Sequence, residues 1–157
     1  ALESADEEIL KAMNKKMRPK DFEVQTKVLQ KAGIMTPTSL VIGYPQETEE
    51  TIKKTFDCCY ENNIYPSVGY LLPQPGTPMY DWAVKTGRIQ DEEEYLLKIG
   101  DRQDFTVNLT NMRQDKIEEL VKINLKKIAK KMGLELNENS LIRTGQYKQK
   151  MLKEDRN

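Results

Sequence analysis

Leu40-Val41-Ile42-Gly43-Tyr44-Pro45-Gln46-Glu47-Thr48-Glu49-Glu50 decides the fold. An apolar run of the buried-strand type breaks at Gly43-Tyr44-Pro45 and re-enters a helix through an acidic first turn. Further on, Leu71-Leu72-Pro73-Gln74-Pro75-Gly76-Thr77-Pro78 repeats that order: apolar strand, Pro/Gly turn, capped helix. Two strand–loop–helix units in succession predict an α/β fold with parallel strands, and ligand loops at the strands' carboxyl ends. Such loops bring backbone groups and helix N-termini to one mouth.

The flanks extend this pattern. Ser4 with Glu7 reads as a capping box before Ile9, Leu10 and Met13. Pro19 opens a helix to about Ala32, Gly33 stops it, and Phe22, Val28, Leu29 and Ala32 form its apolar face. Residues 34–42 form the next strand, with Pro37 removing one ladder donor near its start. Thr48 caps a helix carrying Ile52, Phe56, Cys59 and Tyr60 on one face, which Asn62-Asn63 ends. Residues 65–72 give a second strand. Thr77 caps a short helix closed by Gly87, and Asp91 with Glu94 starts another. Residues 105–109 alternate like a short strand. Asn111 caps a long helix to Met132 with Ile117, Val121, Leu125 and Ile128 as its stripe. From Asn137 the chain turns polar and charged.

Composition bounds the function. The 157 residues suffice for a core, and 25 lysines plus arginines balance 25 aspartates plus glutamates. No global field favours nucleic acid or a membrane surface. No apolar run reaches transmembrane length, so the cytoplasm is the expected location. Histidine is absent, which removes the commonest general base and metal ligand. Cys58 and Cys59 are the two cysteines. Adjacent helical residues diverge by about 100° and cannot jointly face one metal, so they read as core thiols.

The chain also carries a resemblance. Ala1-Leu2-Glu3-Ser4 with Leu10-Lys11-Ala12-Met13-Asn14-Lys15 resembles the Gly-x-Glu-Ser…Leu-x-x-Met-Asn-Lys segment of radical S-adenosylmethionine enzymes. Gly43-Tyr44-Pro45-Gln46-Glu47-Thr48 and Pro73-Gln74-Pro75-Gly76-Thr77-Pro78 follow in that family's order, closest to its cobalamin-binding subgroup. Gln46 stands where the family usually has glycine. The resemblance covers residues 1–87 and, more loosely, continues to Gly133. It implies a partial (β/α) barrel over 1–87, a C-terminal helical extension over 88–136 with a possible short strand, and a polar tail over 137–157.

The resemblance further implies part of a radical S-adenosylmethionine Fe-S oxidoreductase. Its cofactors would be S-adenosylmethionine and a 4Fe-4S cluster, with cobalamin through an N-terminal domain as the subgroup's further cofactor. The family's Cys-x-x-x-Cys-x-x-Cys cluster motif is missing here. The chain is therefore expected to be the later portion of a longer enzyme, inactive alone, with its own N-terminal part as partner. By resemblance Glu3 and Ser4 touch the cofactor's ribose or amino group, and Lys15 its carboxylate, with Lys16 and Arg18 as competitors. Ile42 and Gly43 contact the adenine from one side, Leu72 and Pro73 from the other. Each position has a plainer reading: Ser4 as a helix cap, Glu3 and the lysines as solvated charges, the two loops as turns. Tyr70 faces either substrate or core. Asp101, Arg102 and Asp104 read as a solvated loop, against proton chemistry by paired acids.

A different class remains open: a non-redox α/β module that binds a nucleotide or phosphate, or serves interaction alone. The absence of G-x-x-x-x-G-K-[ST] weighs against it. A small-molecule or lipid-like substrate is expected, without nucleic acid. An unpaired strand edge predicts a homodimer with Val41 and Tyr70 near the seam. In the competing arrangement the helix from Asn111 folds over the edge.

Overall fold

The computed structural model describes residues 1–137 together with Leu141 and Ile142. Two parallel strands, β1 (Ser39–Ile42) and β2 (Ser67–Tyr70), pair with Leu40 opposite Val68 and Ile42 opposite Tyr70. Helices α1 (Glu7–Ala12) and α2 (Pro19–Lys31) precede them, and α3 (Glu49–Glu61) connects them. Helices α4 (Pro78–Lys85), α5 (Glu92–Lys98) and α6 (Gln114–Lys131) follow. The expected α/β order with parallel strands and C-terminal helices is what the chain adopts.

The sheet extends beyond its two strands on both edges. Glu3 bridges β1 in parallel: its N–H donates to Ser39 O at 2.9 Å and its carbonyl accepts from Val41 N at 3.0 Å. On the other edge, Tyr70 N donates to Arg102 O at 2.7 Å. Gly69 leaves room for the Arg102 stem: a Cβ there would meet Arg102 Cδ and Cγ at 3.3 Å. The guanidinium reaches back to Ser67 Oγ, 3.1 Å away.

Leu40, Ile42, Val68 and Tyr70 belong to the core shared with α3 and α6. The α6 stripe Ile117, Val121, Leu125 and Ile128 is buried there as its 3.6-residue spacing requires. Tyr70 lies in this core, stacked on Phe105 with centroids 4.3 Å apart, so it is already covered within the chain. Tyr80, Ala83, Ile89, Tyr95 and Leu109 form a second core, drawn from both sides of residue 87.

Several local readings need correction. The N-cap of α1 is Asp6, whose Oδ1 accepts from Glu8 and Ile9 N–H at 3.0 and 3.3 Å; Ser4 is occupied elsewhere. On α2, Val28 is 63% and Leu29 40% exposed, so most of the expected apolar face meets solvent and Phe22 is the part that packs. The strands begin later than expected, at Ser39 and Ser67. Pro37 and Pro66 lack the N–H that pairing there would use. Residues 105–109 form no strand, because Phe105 stacks on Tyr70 and Asn108 folds the run into a turn, accepting from Thr110 N at 2.9 Å. Helix α6 is flanked by Arg113, not Asn111; Asn111 Oδ1 instead accepts from Arg88 at 2.9 Å. Asp101 and Asp104 each accept a loop N–H at 3.0 Å, as turn residues do.

Thr48 caps α3 in a reciprocal box: Thr51 N donates to Thr48 Oγ1 at 3.3 Å and Thr48 N to Thr51 Oγ1 at 2.9 Å. Thr48→Ala should cost about 1 kcal/mol in urea unfolding. An unchanged midpoint would show that the box contributes nothing. The tail expected from 137 falls largely outside the described residues. Leu141 is buried, and its carbonyl accepts from Tyr65 Oη at 2.5 Å.

Candidate functional site

The carboxyl ends of three parallel segments meet at one edge: Glu3, Gly43 after β1, and Leu71-Leu72 after β2. Leu71 N donates to Ile42 O at 2.7 Å, which extends the strand pairing into the loops. Gly43 has φ 114°, a region that side chains rarely adopt, and Leu71 N lies 3.6 Å from where its Cβ would stand. The loop's path therefore calls for glycine. Gln46 is not among the residues with positive φ, so the turn here does not use that position as a glycine.

Glu3 is the unusual residue of the first segment. Its φ is 62°, and Ser4 N donates back to Leu2 O at 2.8 Å across it. A three-residue turn with positive φ is rare for a side-chain-bearing residue and strained. Both backbone groups of Glu3 are held by β1, which fixes that conformation. Its carboxylate pairs with Lys15 Nζ at 2.6 Å, and Lys15 also donates to Ala1 O at 2.7 Å. The two side chains are 33% and 23% exposed, so the pair is open enough for a ligand to reach. Lys15 stands at the strand end. Arg18 is instead bound to Asp21 through two contacts of 2.8 and 2.9 Å. Lys16 and Arg18 border a neighbouring cavity of about 400 Å³ that Lys11 and Lys15 also line.

Ser4 and Ile42 sit deeper. Ser4 is 1% exposed, and its hydroxyl accepts from Asp6 N at 3.1 Å and shares a 3.2 Å bond with Thr55 Oγ1. Thr55 also accepts from Ala5 N at 3.0 Å and donates to Thr51 O at 2.9 Å. This pair ties the first segment to α3. Ile42 is fully buried in the core, so the mouth meets its backbone alone. On the opposite side Pro73 is buried and its carbonyl accepts from Tyr95 Oη at 2.8 Å, while Leu72 packs on the second core. The structure thus brings Glu3, Lys15, Gly43 and the Leu72-Pro73 loop to the strand ends. It takes Ser4 and the Ile42 side chain into the interior.

Sequence reading missed Glu47. It is 3% exposed, yet carries a carboxylate. Glu47 Oε2 accepts from Gly43 N at 2.7 Å and from Tyr44 N at 3.3 Å; Thr51 Oγ1 lies 3.5 Å from Oε1. Burial pushes its carboxyl up to about 7, against the pull of those three donors, and Asp6 adds to the rise. Tyr44, half-buried, is also pushed up, by burial first and then by the Glu3 and Glu47 charges. Glutamate just before the Thr48 cap looks like an ordinary acidic helix entry. Only its burial marks it out.

Metal chemistry has no seat among the described residues, where no group of three or more potential ligand side chains converges. Cys58 and Cys59 are buried core thiols; burial pushes Cys58 up to about 11 and Cys59 well above its usual value. Such thiols are poor thiolates and do not fit a four-iron cluster. No helix among the described residues is long and apolar enough to cross a membrane.

No family model matches the chain. It is 27% identical to a threonylcarbamoyladenosine tRNA methylthiotransferase of Drosophila pseudoobscura pseudoobscura, over 74% of this chain and 23% of that protein. It is 30% identical to a bacteriochlorophyllide d C-12(1)-methyltransferase of Chlorobaculum tepidum, over 59% of this chain and 21% of that protein. It is 29% identical to a tRNA-2-methylthio-N(6)-dimethylallyladenosine synthase of Corynebacterium jeikeium, over 64% and 21%. The chain spans about a fifth of the length of the curated relatives it matches. These likenesses support the radical S-adenosylmethionine superfamily and nothing finer.

Proposed function

We propose that this chain is the part of a radical S-adenosylmethionine enzyme that holds the nucleoside and amino-acid ends of the cofactor and one wall of the substrate site. The observation that carries the reading is the Glu3–Lys15 pair, 2.6 Å apart, on a strained strand end beside the Gly43 loop. An α-amino acid moiety has an ammonium and a carboxylate side by side. A carboxylate and a lysine held together offer the complementary charges. Gly43 and the Leu72-Pro73 loop supply the close backbone and apolar flank that a flat purine needs.

When bound, S-adenosylmethionine supplies the reactive group. The chain's own residues bind and orient it. Cluster ligation is assigned to the N-terminal part of a longer protein, since these thiols do not fit it. The names of the relatives support transfer of a methyl or methylthio group as the reaction class. The motif spacing favours a cobalamin-binding domain in that longer protein. The balanced charge favours a small-molecule or lipid-like substrate, and the relatives named for tRNA set the competing outcome. A homodimer through the partly open Val41 face, in the cytoplasm, completes the reading. Light scattering that gives 18.2 kDa at every concentration would reject the dimer.

In the longer enzyme, Glu3→Ala and Lys15→Ala should each weaken S-adenosylmethionine binding about tenfold or more, as loss of a charge-assisted bond predicts. Equilibrium dialysis reads the effect, and wild-type affinity in both variants would overturn the residue assignments. Tight binding of unmodified tRNA to the same enzyme would replace the small-molecule substrate.

A further inference from the structure

A nearly inaccessible carboxylate beneath a ligand loop calls for an explanation. Glu47 reaches back four and three residues to the amides of Gly43 and Tyr44, the two residues that turn the chain out of β1. Those amides would otherwise face the mouth or go unsatisfied, and Gly43, at a φ of 114°, has the backbone freedom to leave that conformation unless it is held. Thr51, itself part of the α3 capping box, stands within 3.5 Å of the other carboxylate oxygen. Loop, carboxylate and helix entry therefore form one hydrogen-bonded unit.

We propose that Glu47 is the positioning residue of the strand-end loop: its ionised carboxylate clamps the Gly43 and Tyr44 amides, and uptake of a proton from solvent loosens that clamp. The clamp stands whichever ligand enters the mouth, so it goes beyond the functional reading above and does not depend on it. A carboxylate accepts N–H bonds more strongly than a neutral carboxylic acid, so proton uptake weakens both at once.

The charged groups around Glu47 set where this happens. Asp6, the α1 cap, opposes ionisation, and Lys54 from α3 pairs with Asp6 at 3.0 Å and blunts that opposition. Tyr44 lies under the fields of both Glu3 and Glu47. The N-terminal end of α3, where Glu47 precedes the cap, favours the anion. Burial dominates and brings the change to about pH 7.

The test is a proton–nitrogen NMR titration of this chain between about pH 5.5 and 8.5. The Gly43 and Tyr44 amide signals should shift together with one midpoint near neutrality, and Glu47→Gln should leave both flat over that range. A glutamate with a merely structural role would leave these signals unresponsive to pH in the wild type, and that result overturns the proposal. So does a titration that persists unchanged in Glu47→Gln. If the variant fails to fold, the wild-type titration still decides.

Discussion

Phe56→Ala is expected to remove about 3–5 kcal/mol of folding stability, the range for truncating a buried aromatic ring. Phe56 is 1% exposed on α3, in the core that also holds Leu40, Ile42 and Val68 from the sheet and Ile117 and Val121 from α6. Helix α3 packs closely on α6, so the side chain lost here leaves a cavity that both the strands and α6 would have to close. Packed cores collapse only partially, which adds a cavity cost to the lost transfer energy. Total stabilities of such domains are about 5–15 kcal/mol, so the loss is a large fraction. Urea unfolding followed by circular dichroism checks it. A loss below about 1 kcal/mol would mean that the ring is not buried as described. Phe56→Leu, which keeps most of the volume, should cost much less.

The second large effect is a fall in stability as pH rises from about 4.5 to about 7. The Glu47 carboxyl sits at about 7 in the folded chain, against 4.5 as its ordinary value. Below the lower figure both states hold the proton, and above the higher figure both have lost it. In between, the folded state binds more proton than the unfolded one, so stability decreases with increasing pH across that window. The difference corresponds to at most about 3 kcal/mol, reduced by the favourable N-terminal end of α3.

Histidine is absent, so no imidazole competes in this window. Asp6 and Asp57 behave oppositely. Burial would raise them, but Lys54 in the first case and Lys53 and Lys127 in the second hold them below the usual carboxylate range. Their contribution is present above the ordinary aspartate value and is lost only on acidification. Glu47→Gln should flatten the slope between about pH 4.5 and 7 and raise stability near pH 8. A wild-type chain equally stable at about pH 5 and 8 would contradict the buried-acid picture.

The sequence alone determined those features whose causes are local. Thr48, Thr77 and Asp91 cap their helices because each side chain reaches the N–H three residues on. Gly33, Gly87 and Gly133 end helices with the positive φ that costs glycine little. The stripes of α3 and α6 follow from the helical repeat, and the strand–loop–helix order from two apolar runs broken by Pro and Gly. Motif order was equally legible, and with it the positions of Glu3, Gly43 and Leu72 at strand ends.

Tertiary structure alone decided how each residue was used. Ser4 looked like a cap and became a buried tie to Thr55, fifty-one residues away. Tyr70 could have faced either side and stacks on Phe105, which turned the 105–109 run from a strand into a cover. Glu47 matched any acidic helix entry until burial made it a clamp. Val28 and Leu29 looked like core residues, but they stay 63% and 40% exposed. In each case the outcome rests on desolvation and on partners distant in the chain. A capping bond or a helical period spans only a few residues, whereas burial is a property of whatever the rest of the chain places on top.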